Sequence, residues 1–289
     1  WCIATTPMKG GIPKAVQKLT TTFEYNDIGS VKKMFKKYRN KIACVILEPA
    51  SEVEPKDDFL RELKKICHKN GALLIFDEMI TGFRWHTKGA QYVYDVVPDL
   101  ATFGKAMANG FSVALLAGRR DVMSLGAIYG NKKRERVILL TSTHGAETHG
   151  LAAAIACIKE LQSKKVIAHI NKIGLELKRE VNIIHEKYGL ENIMQIIGER
   201  GCRLALVVKD CKKYDSAQIK TYFLQELISQ GILFNGYFAP SFSHKKKEVE
   251  KTVKAWDYAC VKLKLALGKK NLNNKLVGDP VRPVFRKYN

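Results

Sequence analysis

No stretch of about 18 consecutive apolar residues occurs in this chain, so nothing in it reads as a membrane-crossing helix. A signal-peptide pattern is missing as well. There is no C-x-x-C pair: the seven cysteines, at 2, 44, 67, 157, 202, 211 and 260, form an odd, scattered set, several of them inside apolar runs such as residues 42–47. That pattern disfavours a zinc site or a disulfide framework and points to reduced, structural thiols in a cytoplasmic protein. Acidic residues are scarce, 28 against 49 Lys and Arg, leaving a net charge of +21. Such an excess directs attention to nucleic acid. Yet RNP, helix-turn-helix and zinc-finger patterns are all lacking. Where the charge concentrates, at residues 32–41, Val31, Met34, Phe35 and Tyr38 keep helical spacing while Lys32, Lys33, Lys36, Lys37 and Arg39 take the other faces. A solvated amphipathic helix accounts for this, and nucleic acid is not an expected partner.

What is present suits a globular protein. A chain of 289 residues with 46% hydrophobic content forms one large domain or two smaller ones around a true core. Strand and helix patterns alternate. Residues 42–48 (IACVILE) predict a buried strand, residues 55–69 a helix with Phe59, Leu60, Leu63, Ile66 and Cys67 along one stripe and Asp57 or Asp58 as its cap, and residues 72–77 the next strand. Strand, crossover helix and parallel strand make a βαβ unit, which brings Glu48 and Asp77 to the carboxyl edge of the sheet, where open α/β sheets bind ligands. Further strands are predicted over 100–103, 112–117 and 137–140, and helices over 149–163 and 166–188. After Gly189 the texture changes to strands at 202–208 and 232–238 around a helix over 216–230, with a last helix over 245–267. The domains expected are therefore a large one over residues 1–188, a smaller α+β one over 189–267, and a surface-hugging extension over 268–289.

The stretch LLIFDEMITGFR (73–84) raises the chemical question, because a strand of four apolar residues delivers Asp77 and Glu78 to its end. A buried carboxylate costs several kcal/mol unless something receives it. Lys105, between Gly104 and Ala106 just beyond the strand at 100–103, is one candidate: an uncrowded, partly desolvated amine would be a usable nucleophile. On these two residues alone, a structural Asp77–Lys105 salt bridge is the leading reading.

More than two residues fit a pattern. VILEPA (45–50), GALLIFDEMITGFR (71–84), GAQ (89–91), PDLATFGKAMANG (98–110), GRRDVM (118–123), STHGAET (142–148), GIL (231–233) and SFSH (241–244) together resemble the class III, fold-type I aminotransferases that use pyridoxal 5′-phosphate, above all the glutamate-1-semialdehyde aminomutase-like branch. The resemblance implies an α/β fold with a mostly parallel central sheet flanked by helices and a smaller C-terminal α+β domain. It implies that Asp77 faces the pyridine nitrogen of the cofactor and keeps it protonated, so that the ring is a stronger electron sink. Lys105 would form the Schiff base with the cofactor aldehyde and then act as general acid/base. Met79, two residues beyond Asp77, would pack against the ring or serve as ordinary core filling.

Thr143 matches the threonine that reaches the cofactor phosphate of a neighbouring subunit in a homodimer with shared active sites. This chain departs from the family there, with S-T-H-G-A-E-T in place of a G-T-x-x-G-N-P-like segment, so Ser142 and Thr148 are candidates for the same role. His144, Glu147 and His149 lack the zincin spacing, and no metal is expected. Glu52, more than Glu48, is the candidate substrate contact. A Gly/Ser-rich phosphate cradle and a ring-stacking aromatic precede these motifs in the family and have no counterpart here, so the chain is expected to begin inside the large domain and, alone, to bind the cofactor poorly. The activity implied is transamination between a small-molecule amino donor and a carbonyl acceptor. An intramolecular 2,1-aminomutase and a truncated, non-catalytic interaction protein are the alternatives.

Overall fold

A computed structural model describes residues 5–6, 9–127, 143–211, 213–269 and 271–281. The chain forms two compact units, one over Phe23–Ala168 and one over His169–Asn289 together with residues up to Thr22, in which a single helical turn, α1 (Lys14–Gln17), lies.

The Phe23–Ala168 unit opens with α2 (Ile28–Lys37). Asp27 caps it by accepting the Ser30 N–H at 3.0 Å, and the helix buries Val31 and Phe35 while its four lysines stay exposed. Strand β1 (Cys44–Leu47), α3 (Phe59–Lys69) and β2 (Leu73–Asp77) come next, then the turn α4 (Ala90–Val93), β3 (Leu100–Phe103), β4 (Leu115–Gly118), the turn α5 (Arg120–Met123) and α6 (Thr148–Ser163). The strand order is β1-β2-β3-β4. β1, β2 and β3 run parallel in a register that pairs Leu47 with Phe76, Phe76 with Ala101 and Asp77 with Thr102, and β4 closes the sheet antiparallel to β3.

Side chains alternate across this sheet as strand geometry requires. Val45, Leu47, Leu74, Phe76 and Ala101 turn to one face, where α3 seals them with Phe59, Leu60, Leu63 and Cys67. Neither Asp57 nor Asp58 caps α3, contrary to expectation. Asp58 precedes the helix in a left-handed conformation (φ 56°) and makes no side-chain capping bond, so α3 starts only at Phe59. At the amino edge of the sheet Asp99, 1% exposed, accepts from the Leu74 N–H at 2.8 Å, Arg119 Nη1 at 2.8 Å and His68 Nε2 at 2.9 Å. Burial pushes its carboxyl up, but the Arg119 guanidinium, the Leu74 N–H and His68 outweigh that, and the net shift is downward. β4 begins at Leu115 rather than residue 112, and the strand expected over 137–140 lies outside the described residues.

In the other unit, α7 (Val166–Tyr188) contributes Ile173, Leu177, Val181 and Ile184 to the core, packed with β5 (Met194–Ile197), β6 (Leu204–Val208), α8 (Ser216–Ser229), β7 (Tyr237–Phe238) and α9 (Lys246–Gly268). The sheet is antiparallel, β5-β6-β7. β5 (MQII) is too short and too polar to announce itself, and β7 is two residues long where the apolar run predicts seven. α8 starts with a capping box between Asp215 and Gln218, both bonds 2.8 Å.

Trp256, fully buried on α9, packs edge-on to Phe223 and Phe234 with ring centres 4.7 and 5.3 Å away. Its indole N–H donates to His185 Nε2 at 2.9 Å, which puts the imidazole proton on Nδ1, an atom without a partner among the described residues. Burial pushes the His185 pKa down to about 4. Beyond α9 the chain lies along α8: Gln218, Thr221 and Gln225 hydrogen-bond Asn273, Val281 and both Lys275 and Val277, and Leu272 is completely buried.

Candidate active site at the carboxyl edge of the parallel strands

Alternation separates the two acids at the end of β2. Glu78 turns toward the protein interior and is 0% exposed. Its carboxylate accepts the Ala90 N–H at 2.6 Å, the Gln91 N–H at 2.9 Å and the Thr81 hydroxyl at 2.7 Å, so the first turn of α4 receives the charge. Gly89 precedes that turn at φ 80°, and a Cβ there would strike the Glu78 carboxylate. Asp77, half-buried, belongs to the other face. Its Oδ1 accepts the Met79 N–H at 3.1 Å and the Thr102 hydroxyl at 3.3 Å.

Lys105 stands three residues beyond Thr102, the strand partner of Asp77, at the end of the adjacent strand. Neighbouring strands are about 4.8 Å apart, so one sheet edge presents both groups. The side chain of Lys105 is exposed, not partly desolvated as its surroundings in the sequence imply, because β3 ends at Phe103 and the lysine opens the short 3₁₀ turn Lys105–Met107. Its backbone is left-handed (φ 47°), a conformation that costs a non-glycine residue roughly 1–2 kcal/mol. The turn is braced from below. Met107 and Ala108 pack against Ala154 of α6, and Cys157 Sγ donates to Ala106 O at 3.3 Å. Among the described residues neither Asp77 nor Lys105 enters an ion pair, with the other or with any third group. The structural salt bridge is therefore not what these residues make.

Met79 lies against Gly104: a Cβ on that glycine would meet Met79 Cε. The methionine thus packs on the turn that carries Lys105. Glu52 is half-buried on the loop after β1, at the same edge of the sheet. Thr143 is exposed a few residues ahead of α6, Thr148 is the first residue of that helix, and Ser142 lies outside the described residues. His144 and His149 are exposed beside them, and among the described residues no cluster of three or more His, Cys, Asp or Glu is arranged to hold a metal.

Two features escape the motif reading. One is Glu78, although two acids at a strand end, read with a period of two, must point to opposite faces. The other is a chain of hydrogen bonds in which Trp85 Nε1 donates to Tyr94 Oη at 3.1 Å and Tyr94 Oη donates to Glu54, tying the Glu52 loop to the segment after β2. Nothing in the spacing of Glu54, Trp85 and Tyr94 announces that contact. A cleft of about 340 Å³ lined by Gln91, Ala101, Phe103 and Arg119 involves the face of β3 opposite Thr102, and neither Asp77 nor Lys105 lines it.

Asp77 and Lys105 thus stand at the ends of neighbouring parallel strands, on one sheet edge, with no ion pair among the described residues. The class-III aminotransferase model matches residues 3–258, and the chain belongs to that family. It is 32% identical over 269 residues to glutamate-1-semialdehyde 2,1-aminomutase 2 of Lachnoclostridium phytofermentans, covering 87% of this chain and 61% of that one. Identity to the glutamate-1-semialdehyde 2,1-aminomutase of Acetivibrio thermocellus is 34% over 261 residues, 86% of this chain and 58% of the relative. The chain thus spans about three-fifths of the length of these relatives. Among solved structures, a transaminase with PLP bound superposes with a TM-score of 0.79 at 21% identity over 90% of this chain and 61% of its own. An omega-transaminase from Sphaerobacter thermophilus gives 0.77 at 23% identity over 88% and 60%. The fold is that of these transaminases: a mostly parallel sheet flanked by helices.

Proposed function

We propose that this chain supplies the lysine-bearing sheet edge of a pyridoxal-phosphate-dependent aminotransferase that moves an amino group from a small-molecule donor to a carbonyl acceptor. The observation carrying this reading is that Asp77 and Lys105 end hydrogen-bonded neighbouring strands and yet pair with no charged group among the described residues. A buried or half-buried carboxylate ordinarily finds a cation, and an edge that leaves both charges unpaired suits a ligand with a basic ring nitrogen and an aldehyde. The residues present fit such a cofactor. When bound, it supplies an electron sink for breaking a bond to the carbon that bears the substrate amine.

The chain's own groups do the rest. Asp77, oriented by the Met79 N–H and the Thr102 hydroxyl, holds a proton on the ring nitrogen. Lys105 would hold the cofactor through its side-chain amine and would move a proton at the reacting carbon. Met79 closes one side of the turn beneath that lysine. Thr143, with Ser142 and Thr148, is assigned to the phosphate, in a homodimer whose neighbouring subunits share their sites, and Glu52 to the substrate. The compartment we assign is the cytoplasm.

The aminomutase names of the relatives favour a second reading, in which the nitrogen returns to a neighbouring carbon of the same molecule. Both readings use the same residues. Incubation with pyridoxal phosphate, then borohydride and peptide mapping, tests them together. The cofactor mass is expected on Lys105 in preference to exposed lysines such as Lys32 and Lys36, and Asp77→Asn is expected to weaken that preference. Uniform labelling of surface lysines would overturn the assignment.

A further inference from the structure

Lys105 has a left-handed backbone (φ 47°), and Asn109, four residues on, is left-handed too (φ 47°). A strained turn persists only where its surroundings hold it. Its internal hydrogen bonds do part of this: the Met107 N–H donates to Gly104 O at 3.0 Å and the Asn109 N–H to Lys105 O at 2.9 Å. The rest comes from α6, on which Gly150, Ala154 and Cys157 stand at i, i+4 and i+7 and so share one face. Each of the three meets the segment that follows Lys105. A Cβ on Gly150 would strike Val113 Cγ2, Ala154 packs on Met107 and Ala108, and the Cys157 thiol donates to Ala106 O at 3.3 Å. Small side chains let helix and turn approach, and the thiol adds a directional bond one residue beyond the lysine. Burial and the Glu160 carboxylate push that thiol up, so at neutral pH it keeps the proton it donates.

We propose that Cys157 is a positioning residue: its hydrogen bond to Ala106 O fixes the turn that carries Lys105, so that the amine is presented in one place on the sheet edge it shares with Asp77. Ahead of the lysine, Met79 lies against Gly104, so the backbone is held on both sides of residue 105. The consequence for the cofactor rests on the reading of Lys105 given above, whereas the brace itself is a property of the turn. Serine at 157 keeps a donor of similar size. Alanine keeps the helix face small and removes the donor.

The full chain and its Cys157→Ala and Cys157→Ser variants are compared by amide hydrogen exchange and by borohydride trapping with pyridoxal phosphate. In Cys157→Ala, the amides of residues 107–109 are expected to exchange about fivefold faster, the scale of one lost hydrogen bond, while those of β5 and β6 keep the parental rate. Trapping on Lys105 relative to Lys32 and Lys36 falls in the same variant. Cys157→Ser returns both readouts to within about twofold of the parent. Unchanged exchange in Cys157→Ala overturns the proposal, and so does a serine variant that exchanges as fast as the alanine one, which is what a thiol that only fills space predicts. A parent chain that traps the cofactor on Lys105 no better than on Lys32 overturns the cofactor reading instead, and the exchange rates still decide the brace. Preferential trapping in the parent with no change in either readout on going to alanine removes the brace and keeps the reading.

Discussion

The two sheets of this protein answer to different demands. Around β5-β6-β7, α8 and α9 deliver Tyr222, Phe223, Trp256 and Leu263 into a closed core, and His185 on α7, itself buried, spends its Nε2 on the Trp256 indole. Around β1-β2-β3-β4, α3 packs on one face, side chains on the other are half-buried or exposed, and the strand ends carry an acid and an amine that enter no ion pair among the described residues. The first arrangement maximises burial. The second gives up burial, ion pairing and, at Lys105, a relaxed backbone. Losses of that kind gather where a surface is shaped for something to arrive.

The sharpest way to break this contrast is to injure the closed core. Trp256→Ala removes a fully buried indole and strands His185, and should cost about 3–5 kcal/mol, read as a fall in the urea midpoint. Next in size is acidity. With a folded-state pKa of about 4 against an ordinary 6.5, His185 takes up its proton in the unfolded chain first. Its contribution is therefore intact above pH 6.5 and is lost as the pH falls from there toward 4, by on the order of 3 kcal/mol. Urea midpoints at pH 7.5 and pH 5 measure the slope, and His185→Gln should flatten it.

The open-sheet unit should respond differently. Glu78→Gln turns an amide donor toward the Ala90 and Gln91 N–H groups and should destabilise by about 2 kcal/mol in the same assay, while Asp77, on the other face, keeps its own bonds. The smallest effect has the opposite sign. Lys105→Gly removes the left-handed strain and should raise stability, by about 1 kcal/mol at most, while eliminating borohydride trapping at that position. A destabilised Lys105→Gly would mean the strain is not there and would blunt the contrast between the two sheets.

How much of the molecule was legible in its sequence depended on periodicity. β2, β3, α6, α7 and α9 are long or uniform enough in pattern that their ends fall within a residue or so of expectation. β5, four residues with Gln195 in the middle, and β7, two residues, take their strand character from their neighbour β6, and no local pattern reveals that. Asp57 and Asp58 mislead because capping needs an extended backbone, whereas both residues are left-handed. At the candidate site, the strand ends that carry Asp77 and Lys105 were readable from strand phase, and the register brings the two residues to one edge. Glu78's backbone partners, the Ala90 and Gln91 N–H groups, were not readable, because they come from a turn twelve residues away that no propensity predicts. Nor was the exposure of Lys105, which depends on where β3 stops.

The segment after α9 has a practical corollary. Leu272 plugs the interior beneath Tyr214, whose hydroxyl receives the leucine N–H, and three polar side chains on α8 moor the chain beyond it, as far as Val281. A protease that nicks ahead of Leu272 would draw the stopper and expose the aromatic cluster to water. One that trims downstream of Val281 would leave these α8 moorings in place. A carboxyl-terminal deletion that reaches Leu272 should therefore be far more damaging to this core than one that removes only the Val281 mooring.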